Sequence, residues 1–365
     1  MSMPAGQLEE YRDPFALRAD LAHIPMCRPS GSYKPFTHPW ADLAQIQQQK
    51  IHWLPEEAPM GMDANDYKTL EPAEKSLIDN ILKLFTQSDI DVANNYMTLY
   101  QPIFRNGEIA RMLRAFASME DTHVRAYSLL LETLGLSDSH YNAFLEVEEM
   151  RAKHDLLTGY TMKDPVEIAT TLALIGGFGE GLALFSSFAM LLNFGRFAKM
   201  KGMCQIVTWS IRDETLHVEG IIKLFHEFCR EANISKAQVK EGIMRGARDS
   251  VMLEDAFIDR AFELGPVKGL TPADMKLYIR YTADYRLQQL GLEPIYNIED
   301  HPLGWLQAQL NAVEHANFFE TKSTEYSKGG SKGHWSKTWE QFDAAEAPKI
   351  ANDDALAAAA ATSAA

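Results

Sequence analysis

Two Glu-x-x-His segments, Glu120-Asp121-Thr122-His123 and Glu214-Thr215-Leu216-His217, are the residues whose types and spacing point most directly to chemistry. On a helix, a separation of three places a carboxylate and an imidazole on one face, where they can grip a single ion or two adjacent ions. Spacing alone is weak, because random placement in a chain with 11 His and this acid content gives roughly one such pair. Context strengthens it. Glu180 sits in the middle of the most apolar stretch, Ala169 to Phe194, and Asp89 falls in FTQSDIDVANNYM. Each of these acids alone is compatible with a solvated helix face or, for Glu180, a buried acid hydrogen-bonded to a neighbour. Together they make the inventory of a di-metal carboxylate site in a bundle core: one carboxylate from each of two helices and Glu-x-x-His from each of two others. Burying four acids without cations is prohibitively unfavourable, and two positive ions resolve the conflict. Oxygen-rich ligation with one imidazole per ion suits iron or manganese better than zinc or copper. Tyr127, four residues beyond His123, shares its helical face; it is a core residue, a hydrogen-bond donor or a one-electron redox partner.

The elements that must position these residues are long helices. Ser76 to Met97, Gly107 to Leu134, Pro165 to Leu192 and Ala198 to Phe228 each run without an internal proline, and turn signals between them are sparse. Two shorter helices are expected around 235 to 264 and 271 to 290. No segment carries a convincing period-2 strand pattern, and there is no repeat at solenoid spacing. The fold class is all-α, a long-helix bundle. Residues 1–70, rich in proline and aromatics, read as an extended N-terminal arm with one short helix near 39 to 51. The helical domain covers 71–319, and 320–365, dominated by Gly, Ser, Lys and Ala, reads as a flexible tail with a few aromatic anchors.

Composition excludes several classes. With 35 Lys+Arg against 50 Asp+Glu and a net charge of -15, broad electrostatic capture of nucleic acid or anionic membrane is disfavoured. Cys27, Cys204 and Cys229, odd in number and widely spaced, support neither a disulfide framework nor a thiolate zinc site and read as reduced cytosolic thiols. The first residues, MSMPAGQLEEYRDPFALRAD, show neither a basic start followed by an apolar block nor a small-residue cleavage signal, so secretion is not expected. The stretch Ala169 to Phe194 nearly has the length of a membrane span, yet it holds Glu180 and the glycines Gly176, Gly177, Gly179 and Gly181, so a buried helix explains it better. The expected setting is cytoplasmic, with no membrane and no nucleic acid partner.

At this point the chain resembles the small (beta, radical-generating) subunit of class I ribonucleotide reductase. The resemblance rests on Asp89, then Glu120-x-x-His123-x-x-x-Tyr127, then Glu180, then Arg212-Asp213-Glu214-Thr215-Leu216-His217, and spans about residues 35 to 330. It implies a ferritin-like helical homodimer with a dinuclear iron centre, or dimanganese as the alternative. One metal would take Asp89, Glu120 and His123, and the other Glu180, Glu214 and His217, with Glu120 and Glu214 able to bridge. Dioxygen or a related oxidant would act on the reduced metals, and Tyr127 would become a stable tyrosyl radical. That radical would pass to the large (alpha) subunit, where ribonucleotides are reduced to deoxyribonucleotides for DNA replication. Leu184 and Phe188 would shield it.

The resemblance also implies a transfer route. Trp53, in HWLPEE, would hydrogen-bond Asp213, which contacts His123, and Tyr326 in STEYSKGG would be the exit. Trp53 is equally compatible with packing of the arm on the bundle, and Tyr326 with a solvated linker. Three departures stand out. Ser210 occupies a position where better-known members carry an aliphatic residue, which puts a hydroxyl near the radical. The chain between His123 and Glu180 is shorter than in those members, so a surface hairpin is expected to be missing. The C-terminus ends in an alanine run, leaving Trp335, Trp339 and Phe342 as candidate docking anchors. Another ferritin-like di-metal oxidase is the alternative reading; such enzymes lack the joint presence of Tyr127, Trp53 and an aromatic tail. Because ribonucleotide reduction needs paired thiols and these three cysteines form no such set, the thiol chemistry is expected on the partner.

Overall fold

The computed structural model describes residues 18–310. Among these the secondary structure is helical throughout, apart from one isolated bridge between Val267 and Leu270. The helices begin and end where capping chemistry dictates. α3 (Pro72–Asn94) starts with proline at its first position and Glu74 reaching back to the Glu71 amide, so that donors left free at a helix start are satisfied. α4 (Gly107–Leu134) is capped by Asn106, whose side chain accepts from the Glu108 and Ile109 amides, and stops at Gly135 with φ of 72°, a backbone state that glycine adopts without penalty. α6 (Pro165–Leu174) opens on Asp164 in the same manner.

Where one long helix is expected over Pro165 to Leu192, the chain is helical throughout but passes through a π-helical segment, Ile175–Ala183, before α7 (Leu184–Leu192). A second π-helical turn, Asn95–Tyr100, extends α3. Such segments recur at functional sites because the extra residue per turn re-aims side chains. Here the glycines also permit close approach: a Cβ on Gly176 would lie 2.5 Å from Ile221 Cγ2 of α8 (Lys201–Glu231). The span Pro165–Phe197 is long and apolar enough to cross a membrane, yet it is almost wholly buried as the core helix of the bundle.

Several boundaries differ from the expectation. α8 starts at Lys201, not Ala198, because Ala198 and Met200 adopt left-handed backbone angles, φ of 56° and 54°. A 3-10 segment, Asp138–Leu145, and α5 (Glu148–Thr158) fill the connection after α4; both are short, and α5 is rich in charge. The two shorter helices appear as α9 (Lys236–Ala261) and α10 (Pro272–Gln289).

The arm needs the largest correction. Beyond α1 (Pro39–Lys50), residues 18–70 include α2 (Asp63–Thr69) and four short 3-10 turns. They are packed down, with Leu21, Ile24, Met26 and Trp53 buried. Asp63 accepts from the Gly202 and Met203 amides at 3.0 and 2.7 Å, so the arm supplies the N-terminal cap that α8 lacks in its own sequence. α4 packs along both α1 and α3 and crosses α8, which brings the arm, the two Glu-x-x-His helices and Asp89 to one core.

Candidate metal centre

Asp89 on α3, Glu120 and His123 on α4, Glu180 on the π-helical segment, and Glu214 and His217 on α8 converge in that core, every one of them buried. They form two groups whose potential ligand atoms lie within 4.8 Å of one another: Asp89, Glu120 and His123, and Glu120, Glu180, Glu214 and His217. Glu120 belongs to both. Its two oxygens divide between the imidazoles, Oε2 lying 3.1 Å from His123 Nδ1 and Oε1 lying 2.8 Å from His217 Nδ1. Glu214 does the same, Oε1 at 3.3 Å from His123 Nδ1 and Oε2 at 3.6 Å from His217 Nδ1. Two carboxylates thus span two imidazole nitrogens, with Asp89 at one end and Glu180 at the other.

The electrostatics of this core call for cations. Asp89 Oδ2, Glu180 Oε1 and both Glu214 oxygens are buried without a hydrogen-bond partner, a concentration of orphans that a folded core does not tolerate uncompensated. Burial, together with Glu120, pushes Asp89 well above the carboxylate range. Burial, together with Glu214, does the same to Glu180. Burial opposes charge on Glu120 as well, but the two imidazoles outweigh it and hold that carboxyl down at about 2. His217 shows the converse: burial disfavours the imidazolium, yet Glu120 raises it to about 10. The donor set, four carboxylates and two imidazoles, fits two oxygen-seeking dications.

Both histidines direct Nδ1 to the cluster and Nε2 away from it. His123 Nε2 lies 3.2 Å from Asp213 Oδ2, and Trp53 donates its indole N–H to the same oxygen at 2.7 Å. The Trp53–Asp213–His123 chain expected from the resemblance is thus assembled, with Trp53 stacked over His123 at a centroid distance of 6.0 Å. Gln48 was not legible beforehand. Its amide donates to Asp213 Oδ1 at 3.2 Å, and its carbonyl lies 3.0 Å from His217 Nε2, so one side chain ties the outer nitrogens of both imidazoles together, the kind of support that orients metal-ligating histidines. It stands in the run Gln47-Gln48-Gln49, where nothing in the sequence distinguishes it from its neighbours. Two further contacts were also missed: Trp209 lies 4.9 Å from Trp53, and the Phe116 ring covers His217 at 4.4 Å. Phe116, one turn before Glu120, could have been found from helical spacing.

Tyr127 is buried on α4 beside this cluster, and its hydroxyl donates to Ser210 Oγ at 3.1 Å. Its ring meets Phe85 at 4.7 Å, and Phe85 meets Phe188 at 5.3 Å. Phe188 thus reaches the tyrosine pocket through Phe85, while Leu184 is buried on the same helix as Phe188. Burial, with Asp89 adding to it, drives the Tyr127 phenol far above its ordinary pKa. Tyr326, Trp335, Trp339 and Phe342, with the tail that carries them, lie outside the described residues.

The chain is similar to known proteins over most of its length. The family model described as ribonucleotide reductase, small chain, matches residues 31–302. A probable ribonucleoside-diphosphate reductase small subunit of Invertebrate iridescent virus 6 is 41% identical over 347 residues, covering 84% of this chain and 96% of the viral protein. The reductase subunit beta of Chlamydia pneumoniae is 29% identical over 313 residues, covering 81% and 90% of the two chains. Among solved structures, a putative class I ribonucleotide reductase from Bacillus halodurans superposes with a TM-score of 0.65 at 22% identity, covering 74% of this chain and 99% of that one. A dimanganese(II)-NrdF from Streptococcus sanguinis does so with a TM-score of 0.64 at 18% identity, covering 74% and 94%. With its helical architecture, its convergent carboxylates and histidines and this match over most of its length, the chain belongs to the small-chain family of class I ribonucleotide reductase.

Proposed function

We propose that this small subunit holds a dinuclear iron centre, with dimanganese as the alternative, and keeps a stable radical on Tyr127 for a large subunit that reduces ribonucleotides. The observation that carries the reading is the pair of carboxylates, Glu120 and Glu214, each offering one oxygen to either imidazole. Asp89, Glu120 and His123 would hold one ion, and Glu180, Glu214 and His217 the other, with Glu120 and Glu214 shared. When bound and reduced, such a centre supplies an oxidant strong enough for a phenol by reaction with dioxygen or a related oxidant.

The chain's own residues do the rest. Tyr127 would give up one electron to that oxidant and its Oη proton to the cluster side, where Asp89 is the acid whose charge bears most on the phenol, while Ser210, whose Oγ accepts the Oη hydrogen bond, keeps its own proton. The oxygen can then accept a hydrogen bond from the Ser210 hydroxyl, and the surrounding Phe85 and Phe188 keep water and reductants away. Asp213 holds the outer nitrogen of His123 and the Trp53 indole on one oxygen, which gives a continuous hydrogen-bonded path from the cluster into the arm. Tyr326 would carry the radical onward from the tail, whose Trp335, Trp339 and Phe342 would dock the partner.

The homodimer and a cytoplasmic setting belong to the same reading. Burial pushes the thiols of Cys27, Cys204 and Cys229 up to about 12, so they are poor nucleophiles and the thiol chemistry falls to the large subunit. Metal analysis and EPR of oxygen-exposed protein test the proposal, with a reductase assay in the presence of the large subunit. Two ions per chain, a tyrosyl signal and turnover are expected; a metal-loaded chain that turns over without a tyrosyl signal overturns the radical assignment.

A further inference from the structure

Tyr96 donates a short hydrogen bond from its phenol to Glu180 Oε2. It is wholly buried on the π-helical turn Asn95–Tyr100. Two helical turns beyond Asp89, it stands on the same face of the helix, so one element presents a candidate ligand at one level and a hydrogen-bond donor at the next. Its ring lies 6.0 Å from the His217 ring, edge to face, and 5.9 Å from Phe116. Glu180 receives no other hydrogen bond among the described residues, and its Oε1 has no partner at all.

A glutamate that only a metal restrains can bind through one oxygen or chelate through both. The phenol changes that balance in two ways: it fixes the plane of the carboxylate, and it draws electron density from Oε2, which makes that oxygen the poorer donor. We propose that Tyr96 is a positioning residue that holds Glu180 to ligation through Oε1 alone, and so sets the coordination number of the ion that Glu180 shares with His217. An ion with an unfilled position keeps room for an incoming small molecule. The inference rests on the di-metal reading given above.

Crystal structures of the Mn(II)-loaded full chain, wild type and Tyr96→Phe, test it, together with EPR titration of free Mn(II). In the wild type, Glu180 is expected to bind through one oxygen with the phenol bond in place. In Tyr96→Phe, both oxygens are expected on the ion, with that site binding Mn(II) severalfold more tightly and the other site unchanged. A merely structural role would move affinity the other way, since loosened packing weakens both sites. One-oxygen ligation persisting in Tyr96→Phe overturns the proposal. So does two-oxygen ligation in the wild type, a measurement that needs no variant to fold. Fewer than two Mn(II) per wild-type chain overturns the di-metal reading itself and this inference with it.

Discussion

The hydroxyl of Tyr127 hydrogen-bonds Ser210 Oγ at 3.1 Å, joining α4 to α8 inside a core otherwise closed by Phe85 and Phe188. A phenol in an apolar pocket would have no partner, whereas here a neutral donor-acceptor sits against the atom that would carry the radical. A tyrosyl oxygen that accepts a hydrogen bond has a lowered gx in high-field EPR. Ser210→Ala is therefore expected to raise gx and leave metal content unchanged. An unmoved spectrum would show that the serine turns away once the radical forms.

Tyr127→Phe keeps the ring and its packing against Phe85 while removing only the oxygen. Metal stoichiometry is expected to stay at the wild-type value, with the tyrosyl EPR signal and activity with the large subunit both lost. Retained turnover would mean that another group stores the oxidising equivalent.

Glu180→Ala removes the carboxylate that stands at one end of the cluster. Metal analysis is expected to show loss of about half the bound metal, because the Asp89–Glu120–His123 group remains complete while the other keeps only shared or weaker donors. Unchanged stoichiometry would strike Glu180 from the ligand set.

The metal-free chain should lose stability as pH rises. Burial, with neighbouring acids, keeps Asp89 and Glu180 protonated in the folded state well above the range where an unfolded chain releases those protons, so the folded state binds more protons and rising pH favours unfolding. His217 acts in the same direction. Lifted by Glu120 against its burial, its charge stabilises fully below the ordinary imidazole value and that contribution disappears as pH climbs through about 10. Metal ions displace these protons. The difference in Tm between loaded and metal-free protein is expected to widen from about pH 6 to about pH 8, with protons released on metal uptake. A narrowing difference would contradict the assignment of these groups as protonated in the empty core.

Gly176→Ala tests how the π-helical segment is seated. The added methyl would meet Ile221 Cγ2 at 2.5 Å, and a core with no slack responds by shifting backbone, at about 1–3 kcal/mol. Thermal unfolding of the loaded protein should register that loss, with Glu180 displaced relative to Glu214 and His217 on α8.

Much of the site was legible in the residues. Glu120, His123 and Tyr127 share a helical face by spacing alone, and Glu214 and His217 repeat the device; Glu180 declared itself as an acid in an apolar run. The helical period is local, so it can be read from neighbours along the chain. The resemblance added Trp53 and Asp213, which composition and spacing could not have paired. Gln48, Tyr96 and Trp209 escaped notice because each is an ordinary residue in an ordinary segment, and only its partner makes it consequential. The packed, partly helical arm was likewise hidden, since its 3-10 turns and the Asp63 cap on α8 depend on a helix more than a hundred residues away.

By itself, then, the sequence determined the all-α class, the four helical segments that bear the candidate ligands and which acids and imidazoles those are, because helical periodicity and ligand chemistry are properties of short segments. The tertiary structure alone decided that Glu120 and Glu214 each span both imidazoles, that Gln48 and Asp213 hold the outer nitrogens, and that Tyr96 and Ser210 set the surroundings of Glu180 and Tyr127. Those relationships join atoms on different helices. They depend on crossing geometry, on π-helical turns that re-aim a side chain, and on glycines that let backbones approach, none of which has a local signature in the order of residues.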